Sequence, residues 1–326
     1  MIAEFIIALI ASFAVTAVFA RIIIPVLKSK KMGQYIKDIG PRWHKSKEGT
    51  PTMGGITFIS SMILVCAVAL LIRPAMALPV VLIMALGIMN ALIGFVDDYQ
   101  KLIKKNNDGL GEWQKLILQT LAGGIYLFLM RIFNFIDTKL EIPFADVEVE
   151  LGVFYYVIAL ALIVGMTNST NMTDGIDGLA SSVTFVVGAF FAVAAFAIPM
   201  IPNRAVSLVS ATLIGGMIGF LVYNFNPARV FMGDTGSLYI GGIITGLAFA
   251  LNEPLVVVIC GLVYVLEFAS SFLQRYVYIL SGRKKRLFKM APIHHHFEQC
   301  GWSENKIVAV FSAFTLLCCI GAWFAF

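Results

Sequence analysis

The chain has 326 residues, 59% of them hydrophobic and only 13% charged, against about 25% charged in an average soluble domain. That much apolar surface excludes an ordinary water-soluble globule and requires lipid as part of the solvent. The formal net charge of +5 is modest, and no nucleic-acid partner is expected from it.

A helix crosses the hydrocarbon core with about 20 apolar residues. The first such run covers 2–26 and begins MIAEF, with no basic stretch ahead of it. Arg21 lies within it and Lys28 after it, with none ahead, so it reads as a first span rather than a cleaved leader. Gly49-Thr50-Pro51-Thr52-Met53-Gly54-Gly55, preceded by Lys45 and Lys47, leads into a second span at 55–72. A third at 77–96 ends on Asp97-Asp98-Tyr99 and Lys101. A fourth covers 116–133, and an acidic segment follows, from Arg131 to Glu150. The alternation from Phe144 to Leu151 predicts a short hairpin there.

The fifth span, 152–168, runs into Asn168-Ser169-Thr170-Asn171-Met172-Thr173-Asp174-Gly175-Ile176-Asp177-Gly178. Spans at 179–201 and 205–223 follow, then Asn224-Phe225-Asn226-Pro227 and Val230-Phe231-Met232-Gly233-Asp234-Thr235-Gly236-Ser237. The eighth span, 236–251, is short. The ninth, 254–280, is long and contains Glu267, so it is expected to bend, tilt or leave the bilayer before Arg275. Ala291-Pro292-Ile293-His294-His295-His296-Phe297-Glu298 precedes the last span, 306–326. The expected fold is an all-α polytopic membrane protein with about ten transmembrane helices, a single membrane-embedded domain over 1–326. Cys66, Cys260, Cys300, Cys318 and Cys319 have no zinc-ligand spacing. They read as small buried side chains, with no disulfide framework.

Alternate loops differ in charge. Those after spans 1, 3, 5, 7 and 9 hold 19 of the 24 Lys and Arg residues. Positive loops stay in the cytoplasm, so both termini are expected outside. The polar motifs all fall on the inner side, which the charge argument did not require.

Each motif admits a structural and a chemical reading. The Gly49–Gly55 stretch is a turn with a helix cap, or an anion or nucleotide site. Asp97 and Asp98, neighbours about 100° apart on a helix, are a solvated helix end, or a pair in which one faces a reaction and the other anchors Lys101 or Lys105. Asn171, Asp174 and Asp177, three apart, form a polar turn or a face for Mg²⁺ or sugar hydroxyls. Asp234 caps the next helix or binds Mg²⁺, and Phe231 offers a stacking surface. The adjacent histidines do not reproduce a zinc pair at i, i+4; imidazoles that bind phosphate oxygens fit better. Glu267, an ionisable residue within a span, marks either function or a paired interface site, outside the core site. Carboxylates, lysines and histidines at span ends suggest phosphoryl chemistry between a soluble charged substrate and a lipid. An ion-coupled transporter would place such groups near the midplane instead.

GTPTMGG, the DDY element, NMTDGIDGLA, VFMGDTGSL and APIHHHFE occur here in that order. With them the chain resembles, over nearly its whole length, the phospho-N-acetylmuramoyl-pentapeptide transferases of the polyprenyl-phosphate N-acetylhexosamine-1-phosphate transferase superfamily. The histidine motif separates that branch from relatives that transfer GlcNAc-1-phosphate or other sugar phosphates. The resemblance implies transfer of phospho-MurNAc-pentapeptide from its UDP carrier to undecaprenyl phosphate, giving lipid I and UMP, in a bacterial plasma membrane. It implies a homodimer, and Mg²⁺ on Asp234. Asp97, with Asp98 beside it, would contact or deprotonate the lipid phosphate. Asn171, Asp174 and Asp177 would hold the nucleotide side, with Phe231 near uracil. Lys45 or Lys47 and Thr50 or Thr52 would border that pocket. Lys101, Lys105 and Lys115 would meet phosphates, and His294, His295 and, less centrally, His296 would contact the diphosphate. A phosphate monoester's second pKa is about 6, so the lipid phosphate is already largely a dianion at pH 7. Direct attack is the simpler mechanism, and a phospho-aspartate route its rival.

Overall fold

The computed structural model describes residues 1–29, 47, 49–104, 109–145, 147–198 and 203–325. They form helices α1 (Ile2–Ser29), α2 (Gly55–Ile72), α3 (Ala77–Lys104), α4 (Glu112–Ile132), α5 (Val153–Thr173), α6 (Leu179–Ala197) and α7 (Asn203–Asn224). Then come α8 (Gly233–Ala250), α9 (Val256–Cys260), α10 (Leu262–Leu280), α11 (Ile293–Gln299) and α12 (Glu304–Trp323). Eight helices among the described residues are long and apolar enough to cross a membrane: α1 to α7 and α12. The chain is thus a mostly helical, multi-pass membrane protein.

A hairpin forms between α4 and α5, but it starts earlier than the predicted 144–151, its first strand lying before that stretch. Strands β1 (Lys139–Ile142) and β2 (Val147–Glu150) pair antiparallel, with Glu141 opposite Glu148 and Lys139 opposite Glu150. The five cysteines are free, four of them buried.

Helix α8 is the hub. It is buried from Thr235 to Ala250 and touches α2, α3, α5, α6, α7 and α9. Helices in lipid gain little from burying apolar surface against each other, so close packing of small residues carries the association. A Cβ on Gly242 would come within 2.8 Å of the Gly87 Cα of α3, and one on Gly55 within 2.4 Å of the Gly236 Cα. These contacts draw α2 and α3 onto α8. Buried hydroxyls add polar ties: Ser12 Oγ donates to the Thr212 carbonyl at 2.7 Å, and Ser61 Oγ to the Ser12 carbonyl at 2.9 Å.

The ninth predicted span is two helices, α9 and α10, separated at Gly261. Beyond the break, α10 buries Val263, Tyr264, Glu267 and Ser270 on one stripe. Phe272, Leu273, Tyr276, Ile279 and Leu280 are exposed. Alternating helix direction brings the ends of α3, α5, α7 and α10 together with the starts of α4, α6, α8 and α12. Every polar motif lies at that end; the hairpin lies at the other.

Candidate active site

Asp97 and Asp98 sit in the last two turns of α3 and are both buried. Their side chains diverge, as neighbours on a helix must. Asp98 turns to the start of α8. Its Oδ1 accepts from the Asp234 backbone N–H at 3.1 Å, and its Oδ2 accepts from the Thr235 N–H at 2.9 Å and the Thr235 hydroxyl at 2.7 Å. A helix start carries unpaired N–H groups and partial positive charge, and the N-cap Met232 offers no side-chain bond of its own. Asp98 therefore caps α8 from another helix. Lys101 Nζ is 3.9 Å from Asp98 Oδ1 but 2.6 Å from Asp97 Oδ2; the close lysine contact falls to Asp97, while Asp98 chiefly holds the start of α8. One turn before Asp98, a Cβ on Gly94 would lie 2.2 Å from the Asp234 carbonyl oxygen, so only glycine permits this approach.

With its helix capped by Asp98, Asp234 is free to face Lys101, Lys115 and Asn171. Gly233, at φ +71°, makes the turn that begins α8. Asp234 Oδ2 accepts from Lys115 Nζ at 2.5 Å and Lys101 Nζ at 3.1 Å, and Oδ1 from Asn171 Nδ2 at 2.9 Å. Asn171 also donates to Ser237 Oγ at 2.9 Å. Asp97 Oδ1 accepts from the Leu110 N–H at 2.7 Å and lies 3.2 Å from Lys115 Nζ. Asp97 Oδ2 is buried and receives no hydrogen bond of good geometry, only the nearby Lys101 charge.

This arrangement fits a divalent cation. Asp97, Asp98 and Asp234 each offer an oxygen within 4.8 Å of the others, and hard divalent cations take oxygen ligands. Asp98 is committed to α8. Asp97 and Asp234 remain; their oxygens face the Lys101 and Lys115 ammonium groups, and a cation would take Asp97 Oδ2 and an Asp234 oxygen in competition with those lysines.

A second cluster lies beside the first. Lys47 Nζ pairs with Asp177 Oδ1 at 2.7 Å and with Glu304 at 2.6 Å. Glu304 also accepts from the Asp177 N–H at 3.0 Å. Asp177 Oδ2 accepts from Asn226 Nδ2 at 3.1 Å and from the Ala228 N–H at 2.9 Å. The three-apart residues thus part company: α5 ends at Thr173, so Asn171 reaches Asp234 while Asp177 reaches Lys47. Asp174 lies between them. Burial, and behind it the carboxylates Asp234, Asp98 and Asp177, push its carboxyl up to about 8.

Phe231 belongs to a strand-like pairing with the Gly49–Gly55 stretch. Its N–H donates to the Pro51 carbonyl at 2.9 Å, and its carbonyl accepts from the Gly54 N–H at 2.8 Å. Thr50 and Thr52 are half-buried in the same stretch, and a Cβ on Gly233 would touch Thr52 Oγ1. His294 is fully buried against Glu267. His295 Nδ1 pairs with Glu298 at 2.6 Å. His296 turns away: its Nδ1 accepts from the Lys289 N–H at 3.1 Å and its ring packs on Phe288 and Phe297. Lys45 and Lys105 lie outside the described residues. Glu304, which follows Ser303 at a regular helix start, carried no sequence signal beyond that of a first-turn acid; Ser303 Oγ does accept from the Lys306 N–H at 3.3 Å.

The family model for glycosyl transferase family 4 matches residues 78–252, and signature 1 of the phospho-N-acetylmuramoyl-pentapeptide transferases matches residues 47–59. A phospho-N-acetylmuramoyl-pentapeptide-transferase of Staphylococcus carnosus (strain TM300) is 42% identical over 317 residues, 96% of this chain and 97% of its own length. The like-named protein of Staphylococcus aureus (strain bovine RF122 / ET3-1) is 42% identical over 98% of both chains. That of Clostridium perfringens (strain SM101 / Type A) is 42% identical over 98% of this chain and 96% of its own.

Proposed function

This chain belongs to the family of phospho-N-acetylmuramoyl-pentapeptide transferases, and on that premise we propose that it carries out their transfer at the Asp97–Asp234 cluster. It transfers phospho-MurNAc-pentapeptide from UDP-MurNAc-pentapeptide to undecaprenyl phosphate, forming lipid I and UMP, the first membrane-bound step of peptidoglycan synthesis. The observation that carries the site assignment is the sharing of Lys101 and Lys115 between Asp97 and Asp234. Two carboxylates that share two lysine cations make a seat for phosphate groups and their counter-ion.

In this reading Mg²⁺ is held by Asp234 and Asp97, and when bound it supplies positive charge against the diphosphate oxygens. Lys101 and Lys115 meet phosphate oxygens as charge develops, the positioning and neutralisation that phosphoryl transfer chiefly needs. Asn171 orients Asp234. Lys47, Asp174, Asp177, Thr50, Thr52 and Phe231 border the uridine end, and His294 and His295 the diphosphate. The lipid phosphate attacks the β-phosphorus directly as a dianion. Asp97 guides it, and Asp98 keeps α8 and Asp234 in place.

The loop charges support ten spans, the eight long apolar helices with α8 and the α9–α10 pair completing the set. They also support outward termini and a site facing the cytoplasm; a bacterial plasma membrane and a homodimer are supported by the family alone.

The test supplies purified protein with undecaprenyl phosphate, Mg²⁺ and either UDP-MurNAc-pentapeptide or UDP-GlcNAc. UMP release with the first donor alone is the expected result. Release with UDP-GlcNAc assigns the chain to GlcNAc-1-phosphate transfer, and solute flux in proteoliposomes without UMP assigns it to transport.

A further inference from the structure

Glu267 stands in the second turn of α10 with its side chain wholly buried, as is that of His294. A buried ionisable group at such depth is costly and persists where it has a partner and a use. Here the partner is His294. Glu267 Oε2 lies 2.9 Å from His294 Nδ1 and 3.5 Å from the His294 backbone nitrogen, in the first turn of α11. One carboxylate oxygen thus holds both the ring and the backbone that carries it.

A carboxylate against Nδ1 obliges that nitrogen to bear a proton. The working atom of the ring is then Nε2. Among the described residues, Nε2 is buried and has no hydrogen-bond partner. It is aimed at the loop between α5 and α6: a Cβ on Gly175 would lie 2.2 Å from it. Gly175 follows Asp174 and comes two residues before Asp177, so the unpartnered nitrogen points at the loop that borders the donor's binding site.

We infer that Glu267 is the positioning residue for His294, holding the Nδ1 proton and the ring's orientation so that a proton on Nε2 is donated to an anionic oxygen of the donor diphosphate. The inference rests on the reading of His294 as a diphosphate contact. A ring that donates from Nε2 while keeping its Nδ1 proton is an imidazolium, and Glu267 supplies the charge opposite it. The same logic assigns the carboxylate of a serine-protease triad its role toward histidine.

The test is a double-mutant cycle with Glu267→Gln, His294→Gln and the pair, each assayed for UMP release with UDP-MurNAc-pentapeptide and undecaprenyl phosphate. Glutamine keeps the shape of Glu267 but can present its NH₂ to Nδ1 and force the proton onto Nε2 alone. The expected result is a fall in kcat of about 100-fold for Glu267→Gln, with KM for the donor within about threefold of wild type. The double variant should then be no slower than His294→Gln, because residues that act through one another do not add. Wild-type kcat in Glu267→Gln, or losses that multiply in the double variant, would overturn the inference. A purely structural tie would lower the melting temperature and leave the kcat of folded enzyme unchanged. If Glu267→Gln does not fold, the ¹⁵N spectrum of His294 in the wild type with the donor bound decides: protons on both ring nitrogens are expected, and a ring protonated on one nitrogen alone would refute it. A wild type that releases no UMP refutes the reaction instead, and the spectrum still tests the pair.

Discussion

Asp98 on α3 and Thr235 on α8 are joined twice through one carboxylate oxygen, which accepts from the Thr235 N–H at 2.9 Å and its hydroxyl at 2.7 Å. A helix start that would otherwise be capped by its own first side chain is capped from a neighbouring helix. Asp234, the acidic residue of that first turn, is thereby released to face Lys101, Lys115 and Asn171.

Asp98→Ala should damage structure and activity together. It leaves the Asp234 and Thr235 amides unpaired in a buried setting, a loss of about 2 kcal/mol. The melting temperature in detergent should fall by several degrees along with UMP release. Asp97→Ala removes no cap and should abolish UMP release at nearly unchanged melting temperature. Equal stability of the two variants would contradict this division.

Lys115, like Lys101, pairs with both reaction-facing carboxylates, at 2.5 Å from Asp234 and 3.2 Å from Asp97. Lys115→Met keeps the length of the side chain and deletes the charge. Preorganised charges of this kind are worth about 100-fold or more in rate, so kcat for UMP release should fall by that order. A variant within threefold of wild type would show that Lys115 serves only to offset the carboxylates in the absence of substrate.

Glu304 holds Lys47 and the Asp177 backbone at the start of α12. Glu304→Gln weakens a charge-assisted contact that shapes the uridine end. KM for UDP-MurNAc-pentapeptide should rise about tenfold with kcat within threefold, the pattern of lost uniform binding. A selective loss of kcat would place Glu304 nearer the chemistry than its contacts indicate.

At the opposite end, Glu253 lies in the turn between α8 and α9. Burial, and then Glu141 of the hairpin, raise its carboxyl from an ordinary 4.5 to about 8. Between those values the folded protein binds the proton more tightly than the unfolded chain. Stability is therefore present at low pH and declines as pH rises towards about 8. Hydrogen exchange of the hairpin amides, corrected for intrinsic rate, should be faster at pH 8 than at pH 6. Glu253→Gln should remove the difference; an unchanged difference would contradict the assignment.

Eight of the span positions, a hairpin before α5 and the gathering of motifs at one end were legible because each rests on a local pattern. Apolar run length reports hydrocarbon thickness, and strand alternation reports a two-sided ribbon. Asp97, Asp234, Lys101, Lys115 and Asn171 were legible as ingredients. Their division of labour was not, since it depends on how closely α3 meets α8, which Gly94 permits. The diverging paths of Asn171 and Asp177 follow from α5 ending at Thr173, a boundary that periodicity in a polar stretch does not mark. Glu304 looked like any first-turn acid, and Glu267 like an isolated charge in a span. Both acquire meaning only from partners far away in the chain, Lys47 and His294.

The account stands most directly on Asp234. Purified wild type given UDP-MurNAc-pentapeptide, undecaprenyl phosphate and Mg²⁺ should release UMP and form one lipid product per UMP. Asp234→Asn, with its melting temperature preserved through the Asp98 cap, should release UMP at least about 100-fold more slowly. No UMP from wild type, or undiminished release from Asp234→Asn, would contradict it.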